Sequence, residues 1–257
     1  MTAPGPGTVR VAVEGPVARL TLEHRGRVNA VTGHMWSELE RLVRDAGRDP
    51  DLRVVVLRGH GGVFSSGADL RELLGATADP DAARAFSLRV VRALHALATS
   101  PLPTVAVLEH HVAGGGAEIA LACDLRVARD DVSFRIPMSR LGVVPDRLTL
   151  DRLTALAGPA AARTVLLAGR ALDAAGCLRV GLVDEVHPTS GLDAAVDALV
   201  ADLLAGSAYS LARTKAMLLA TESPGSPEDR VAEMVASLLD GGVAERARAF
   251  LHRARRD

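Results

Sequence analysis

The stretch that decides the fold is residues 111–128, HVAGGGAEIALACDLRVA. Three glycines, Gly114 to Gly116, separate a short strand-like segment from a run of small residues suited to a closely packed helix. Upstream, PLPTVAVLEH (101–110) reads as a strand introduced by prolines. Downstream, LRVARDDVSFRIP (125–137) supplies further strand. Strand, glycine turn, helix and strand in that order predict a crossover unit, and so an α/β chain with helices packed on a sheet.

The same grammar recurs. TVRVAVEGPVARLTLE (8–23) alternates apolar and polar residues about a Gly-Pro turn and predicts a hairpin. In VTGHMWSELERLVRDAG (31–47), Met35, Leu39 and Leu42 recur at helical spacing, with Thr32 or Gly33 as the cap. LRVVVLRG (52–59) is a buried strand by its valines, and GHGGVFSSGADLREL (59–73) is a second glycine-rich loop leading into a helix. DPDAARAFSLRVVRALHALATS (79–100) predicts a helix with Phe86, Val90, Leu94 and Leu97 on one face.

After Gly142 helices dominate: LDRLTALAG (150–158), PAAARTVLLAG (159–169), LDAAVDALVADLLAG (192–206), SLARTKAMLLAT (210–221) and GVAERARAFLHRAR (242–255). One short strand, within GLVDEVH (181–187), interrupts them, and TESPGSPED (221–229) reads as a loop. The expected organisation is a core over 1–190 carrying the ligand site and a helical C-terminal subdomain over 191–257.

Composition narrows the function. The 257 residues suffice for a substantial core, and 48% are apolar. A formal net charge of −1 gives no basic footprint for nucleic acid. Lys215 is the sole lysine; the other cationic residues are arginines. Cys123 and Cys177 suit a reducing compartment with no disulfide framework. No run reaches the roughly 18 uninterrupted apolar residues of a membrane span, and the N-terminus has no secretory pattern. A soluble, cytoplasmic protein that meets neither nucleic acid nor membrane is expected.

The loop at 59–73 lacks the Lys and Ser/Thr of a nucleotide cradle and contains no G-x-G-x-x-G. Both it and the loop at 111–128 follow a strand and open a helix. Helix N-termini present unpaired N–H groups and partial positive charge, so two converging on one point would hold a developing oxyanion. The alternative is a pair of tight turns with no ligand.

RVNAV (27–31), GGVFSSGADLREL (61–73), HVAGGGAEIALACDLRVA (111–128) and RLGVVPD (140–146), in this order, resemble the crotonase family, the enoyl-CoA hydratase/isomerases. The likeness runs from about Val9 to about Phe250. It implies a fold of repeated β-β-α units and a helical C-terminal region that forms a homotrimer or hexamer. It also implies an acyl-CoA substrate, with coenzyme A part of the substrate rather than a cofactor, and no metal. The oxyanion donors of the family fall on the amides of Ala68 and Gly115. The coenzyme contacts fall on Arg25, Arg27 and Val28, and on backbone at Ala68, Asp69 and Leu70.

The family varies its carboxylates. The first hydratase glutamate falls on Glu118; the other reading of Glu118 is a helix N-terminal acid. The second falls on Met138, which transfers no proton. Some isomerases carry an aspartate where this chain has Asp146; its alternative role is to cap the following helix. Such relatives often continue with Gly-Gly, whereas this chain reads RLT (147–149), and Arg147 would pair with a carboxylate or shape the acyl pocket. Glu109-His110 replaces the usual Asn-Gly, which puts a bulky His near the pocket. His110 and His111, on opposite faces of a strand, would not chelate one ion. These residues imply an enoyl-CoA isomerase using Asp146 and Glu118. Two alternatives stand beside it: a hydratase using Glu118, and a non-catalytic acyl-CoA-binding homologue. The basic segment RAFLHRARR (248–256) is a candidate to reach a neighbouring subunit's ligand.

Overall fold

The structure, a computed structural model, describes residues 7–219. The predicted hairpin is present as β1 (Thr8–Glu14) and β2 (Val17–Glu23), paired antiparallel. Helix α1 (Gly33–Ala46) follows, capped by Thr32, whose hydroxyl accepts from the Met35 amide. β3 (Val54–Gly59) leads through a 3₁₀ turn into the first glycine loop, then α2 (Leu70–Gly75) and α3 (Pro80–Thr99). Next come β4 (Thr104–Leu108), β5 (His111–Ala113), α4 (Gly115–Ala122), β6 (Leu125–Arg129) and β7 (Ser133–Arg135). A 3₁₀ turn over Pro137–Leu141 precedes α5 (Arg147–Leu166), β8 (Leu172–Asp173), α6 (Ala174–Arg179), β9 (Glu185–His187), α7 (Thr189–Ala205) and α8 (Ala208–Leu219).

Six strands form the main sheet in the order β1-β2-β3-β4-β6-β9, parallel from β2 onward. A small second sheet, β5-β7-β8, stands beside it. The inner strands are apolar on both faces, as a parallel sheet covered on both sides requires. Val55, Leu57, Ala106 and Leu108 face a large core with Trp36, Leu39, Leu94, Leu97 and α4. Val54, Val56, Val105, Val107 and Val127 face the other way, onto Leu192, Val196 and Val200 of α7.

The sequence expectation of two helices over 150–169 is met by one element with a break. Gly158 takes φ +75 and Pro159 follows, so the chain turns inside α5 where no L-residue with a side chain sits comfortably. The strand expected in GLVDEVH is confined to Glu185–His187 and forms the sheet edge beside β6. Both cysteines are free and buried, with their thiols pushed up to about 12 by burial. No single helix among the described residues is long and apolar enough to cross a membrane. The 221–229 loop, the 242–255 helix and the 248–256 basic segment lie outside the described residues.

Candidate active site

The two glycine loops meet. Ser65 bridges to Val112 of β5: the Ser65 amide donates to the His111 carbonyl at 2.9 Å, and the Ala113 amide donates to the Ser65 carbonyl at 3.0 Å. This pairing ties the start of α2 to the start of α4. Gly67 has φ +108, and a Cβ there would come within 2.9 Å of the Ala113 carbonyl oxygen and 3.3 Å of the Gly115 nitrogen. A Cβ at Gly115 would stand 3.2 Å from the Ala68 nitrogen and 2.9 Å from the Trp36 ring. Both positions therefore require glycine, and their absent side chains let two backbones approach. Gly115 is the first residue of α4, so its amide has no intrahelical acceptor, and no other described group takes it or the Ala68 amide. The predicted pair of donors thus stands side by side, in the lining of a cavity.

That cavity holds about 210 Å³ and is lined by Ala68, Gly115, Glu118 and Asp146 on its polar side. Its apolar wall comes from three places: Leu70 and Leu73 of α2; Phe86, Val90 and Val91 of α3; and Met138, Leu141 and Val144 between β7 and α5. Phe86 and Val90 belong to the face that periodicity grouped with Leu94 and Leu97. The structure gives Leu94 and Leu97 to the core and the first half of that face to the cavity.

Glu118 is 4% exposed, and burial pushes its carboxyl up to about 7. The nearby Asp146 charge adds to the rise; hydrogen bonds from the Asp146 amide (3.2 Å) and the Thr149 hydroxyl (3.3 Å), both to Oε1, oppose it. Asp146 lines the same cavity, half-buried, and its Oδ2 accepts from the Leu148 amide at 3.0 Å as the cap of α5. The two readings of Asp146, cap and cavity carboxylate, hold together. Met138 stands on the cavity wall. Thr149, absent from the sequence expectations, is found only through its contact with Glu118.

The loop expected to meet coenzyme A packs against the first glycine loop. The Ser66 amide donates to the Val28 carbonyl at 2.9 Å, and the Ser66 hydroxyl donates to the Arg27 carbonyl. Val28 and Asn29 both take positive φ, an uncommon state for a β-branched residue, and Asn29 holds the turn through His24, His60 and Val63. Arg25 is exposed and paired with Glu23. The Asp69 amide and carbonyl are engaged by Val31 and Leu73, so backbone groups for an incoming ligand remain at Ala68 and Leu70.

Two expectations are corrected, and one is narrowed to its first alternative. His110 does not line the cavity. His110 and His111 do not point to opposite faces, because His110 takes φ +50, which breaks the alternation and brings the two rings to 4.1 Å. Glu109 is buried in an ion-pair network with Arg58 (3.2 Å) and Arg129 (3.1 Å), while His110 pairs with Asp131. Of the two roles expected of Arg147, pairing with a carboxylate is the one observed: it is exposed and meets Asp151 at 2.8 Å. No metal-binding cluster occurs among the described residues.

The family model for enoyl-CoA hydratase/isomerase matches residues 12–239. The chain is 34% identical over 221 residues to a protein of Mycobacterium tuberculosis named probable enoyl-CoA hydratase EchA14, covering 85% of this chain and 84% of that one. It is 32% identical over 208 residues to the probable enoyl-CoA hydratase echA8 of Mycobacterium bovis, covering 80% and 79%. A solved enoyl-CoA hydratase/carnithine racemase from Magnetospirillum magneticum superposes with a TM-score of 0.90 at 30% identity, covering 97% of this chain and 94% of its own. With the fold, the abutting glycine loops and the carboxylate-bearing cavity in agreement, the chain belongs to the enoyl-CoA hydratase/isomerase, or crotonase, family.

Proposed function

We propose that this chain is an enoyl-CoA isomerase, which moves a double bond along an acyl-CoA thioester by proton transfer. The observation that carries the reading is a single buried carboxyl, Glu118, with its pKa at about 7, in a cavity where Met138 occupies the place of a second glutamate. A carboxylate tuned to neutral pH removes and returns a proton with comparable ease. In the first step Glu118 takes a proton from the acyl chain. The C–H electron pair becomes a dienolate whose charge rests on the thioester oxygen, held by the Ala68 and Gly115 amides. In the second, the proton returns at another carbon, and nothing is oxidised or reduced. Asp146 is the other carboxylate within the cavity and the candidate to share the transfer.

Water addition would need a water held between two proton-transfer groups, and the Met138 thioether supplies none. The hydratase alternative is favoured by the names of the relatives, which are called hydratases. The two separate by assay. Purified protein given a 3-enoyl-CoA and, separately, crotonyl-CoA in water is expected to shift the bond in the first and to hydrate the second poorly. Glu118→Gln and Asp146→Asn are expected to lose about 10²-fold or more in isomerisation while still binding thioester. Efficient hydration lost in Glu118→Gln would establish the hydratase instead. Tight thioester binding with no turnover of either substrate would leave a binding protein.

A further inference from the structure

We propose that Thr149 is a positioning residue for Glu118: its hydroxyl and the Asp146 amide hold the same carboxyl oxygen, Oε1, and leave Oε2 as the oxygen that carries the proton into the cavity. The inference rests on reading this cavity as a proton-transfer site. Both donors reach Oε1, from the Asp146 nitrogen at 3.2 Å and from Thr149 Oγ1 at 3.3 Å. No described donor reaches Oε2. Nor is Oε2 sealed off, since the buried side-chain polar atoms without a hydrogen bond among the described residues are Glu23 Oε2, which is ion-paired with Arg10, and Trp36 Nε1. On a residue that lines the cavity, Oε2 therefore opens onto it.

The arrangement has a chemical logic. Both the Asp146 amide and the Thr149 hydroxyl donate to Oε1, and Oε1 remains an acceptor when the proton sits on Oε2. Thr149 can stay bonded to Glu118 as the proton comes and goes. Thr149 is itself 1% exposed, so water does not compete for its hydroxyl. Asp146 and Thr149 belong to the cap and first turn of α5, and the capping contact of Asp146 Oδ2 to the Leu148 amide makes that turn rigid. The positive end of the α5 dipole adds to the two hydrogen bonds in favouring the charged carboxylate, against its burial. Asp146 is the charged side chain that acts on Glu118. The α3 wall presents Phe86, Val90 and Val91, the 3₁₀ turn presents Met138, and His111 of β5 does not line the cavity.

The test is a titration of the Glu118 carboxyl in the ligand-free full chain by ¹³C NMR, its signal assigned by its loss in Glu118→Gln. Thr149→Val keeps the shape and removes the hydroxyl; Thr149→Ser restores a hydroxyl. The midpoint in Thr149→Val is expected to rise by about one pH unit, and Thr149→Ser to return toward the parent value. With a 3-enoyl-CoA, kcat near pH 7 is expected to fall about fivefold with KM little changed, and to recover as pH is raised. If Thr149→Val misfolds, Thr149→Ala carries the same titration. An unchanged midpoint in a folded variant, or a loss of stability with no shift, overturns the proposal. A shifted midpoint in a chain that turns over no 3-enoyl-CoA leaves the positioning role standing and removes the isomerase reading.

Discussion

Glu118 is a carboxyl held out of water, and that has a price in stability. Its folded pKa, about 7, lies above the ordinary carboxylate value of 4.5 that holds in the unfolded chain. Below the lower value both states are protonated and the fold keeps its full stability. Between the two the unfolded chain ionises first, so stability falls as pH rises, by a total on the order of 3 kcal/mol. Glu118→Gln should remove this slope: its melting temperature relative to the parent should be highest above pH 7, and a parallel pair of pH profiles would contradict the burial argument. His110 carries strain of a different kind. Its φ of +50 is a state that glycine adopts freely, so His110→Gly is expected to stabilise by about 1 kcal/mol, less what the His110–Asp131 pair contributes. Urea denaturation of the two proteins measures the difference. Neither feature was legible from composition: Glu118 was found by its place after the glycines, but its pKa depends on what buries it.

At the scale of elements, α4 carries both Gly115 and Glu118, and its far end is fixed by charge. Arg126, 1% exposed, donates to the carbonyls of Cys123, Asp124 and Leu182, and Arg152 donates to Leu121 and Cys123. Guanidinium groups at a helix C-terminus satisfy its free carbonyls and oppose its dipole. Beside them, Lys215 of α8 pairs with Asp124 at 2.7 Å and donates to the Leu97 and Leu102 carbonyls. The one lysine of the chain is thus a buried clamp that docks α8 on the end of α3 and the α4–β6 turn. Lys215→Met is expected to cost about 3 kcal/mol, since it leaves Asp124 with the Thr104 donors but no countercharge, and two carbonyls without their donor, and to expose α8 to limited proteolysis. Unchanged stability would show that α8 docks through its apolar contacts alone. Sequence periodicity placed α8 but assigned Lys215 no role, because a lone charge on a helix carries no sign of what it faces.

The whole molecule brings together chain segments nearly fifty residues apart in sequence to make one site. The Ser65–Val112 bridge fixes the distance between the Ala68 and Gly115 amides, and the space between them exists only because no Cβ fills it. Gly115→Ala is therefore expected to abolish acyl-CoA binding while leaving the unliganded protein folded at reduced stability. Thermal shift reads it. The parent should gain about 2.7 kcal/mol at a thioester concentration one hundred times its Kd, and the variant should gain none. A variant stabilised as much as the parent would place the ligand elsewhere.

The sequence by itself determined the strand–glycine–helix units, the family they belong to, and the positions of Ala68, Gly115, Glu118 and Asp146. Those rest on local rules: alternation for strands, helical spacing, and glycine where a backbone must pass close. Tertiary structure alone decided that the two glycine loops abut, that half of one α3 face lines a cavity, and that the chain bends at His110 between β4 and β5. It also decided that Thr149 and the Asp146 amide meet on one oxygen of Glu118. Each of these depends on which distant segment arrives at a given surface, and on the dielectric and donors found there, which no short stretch of sequence encodes.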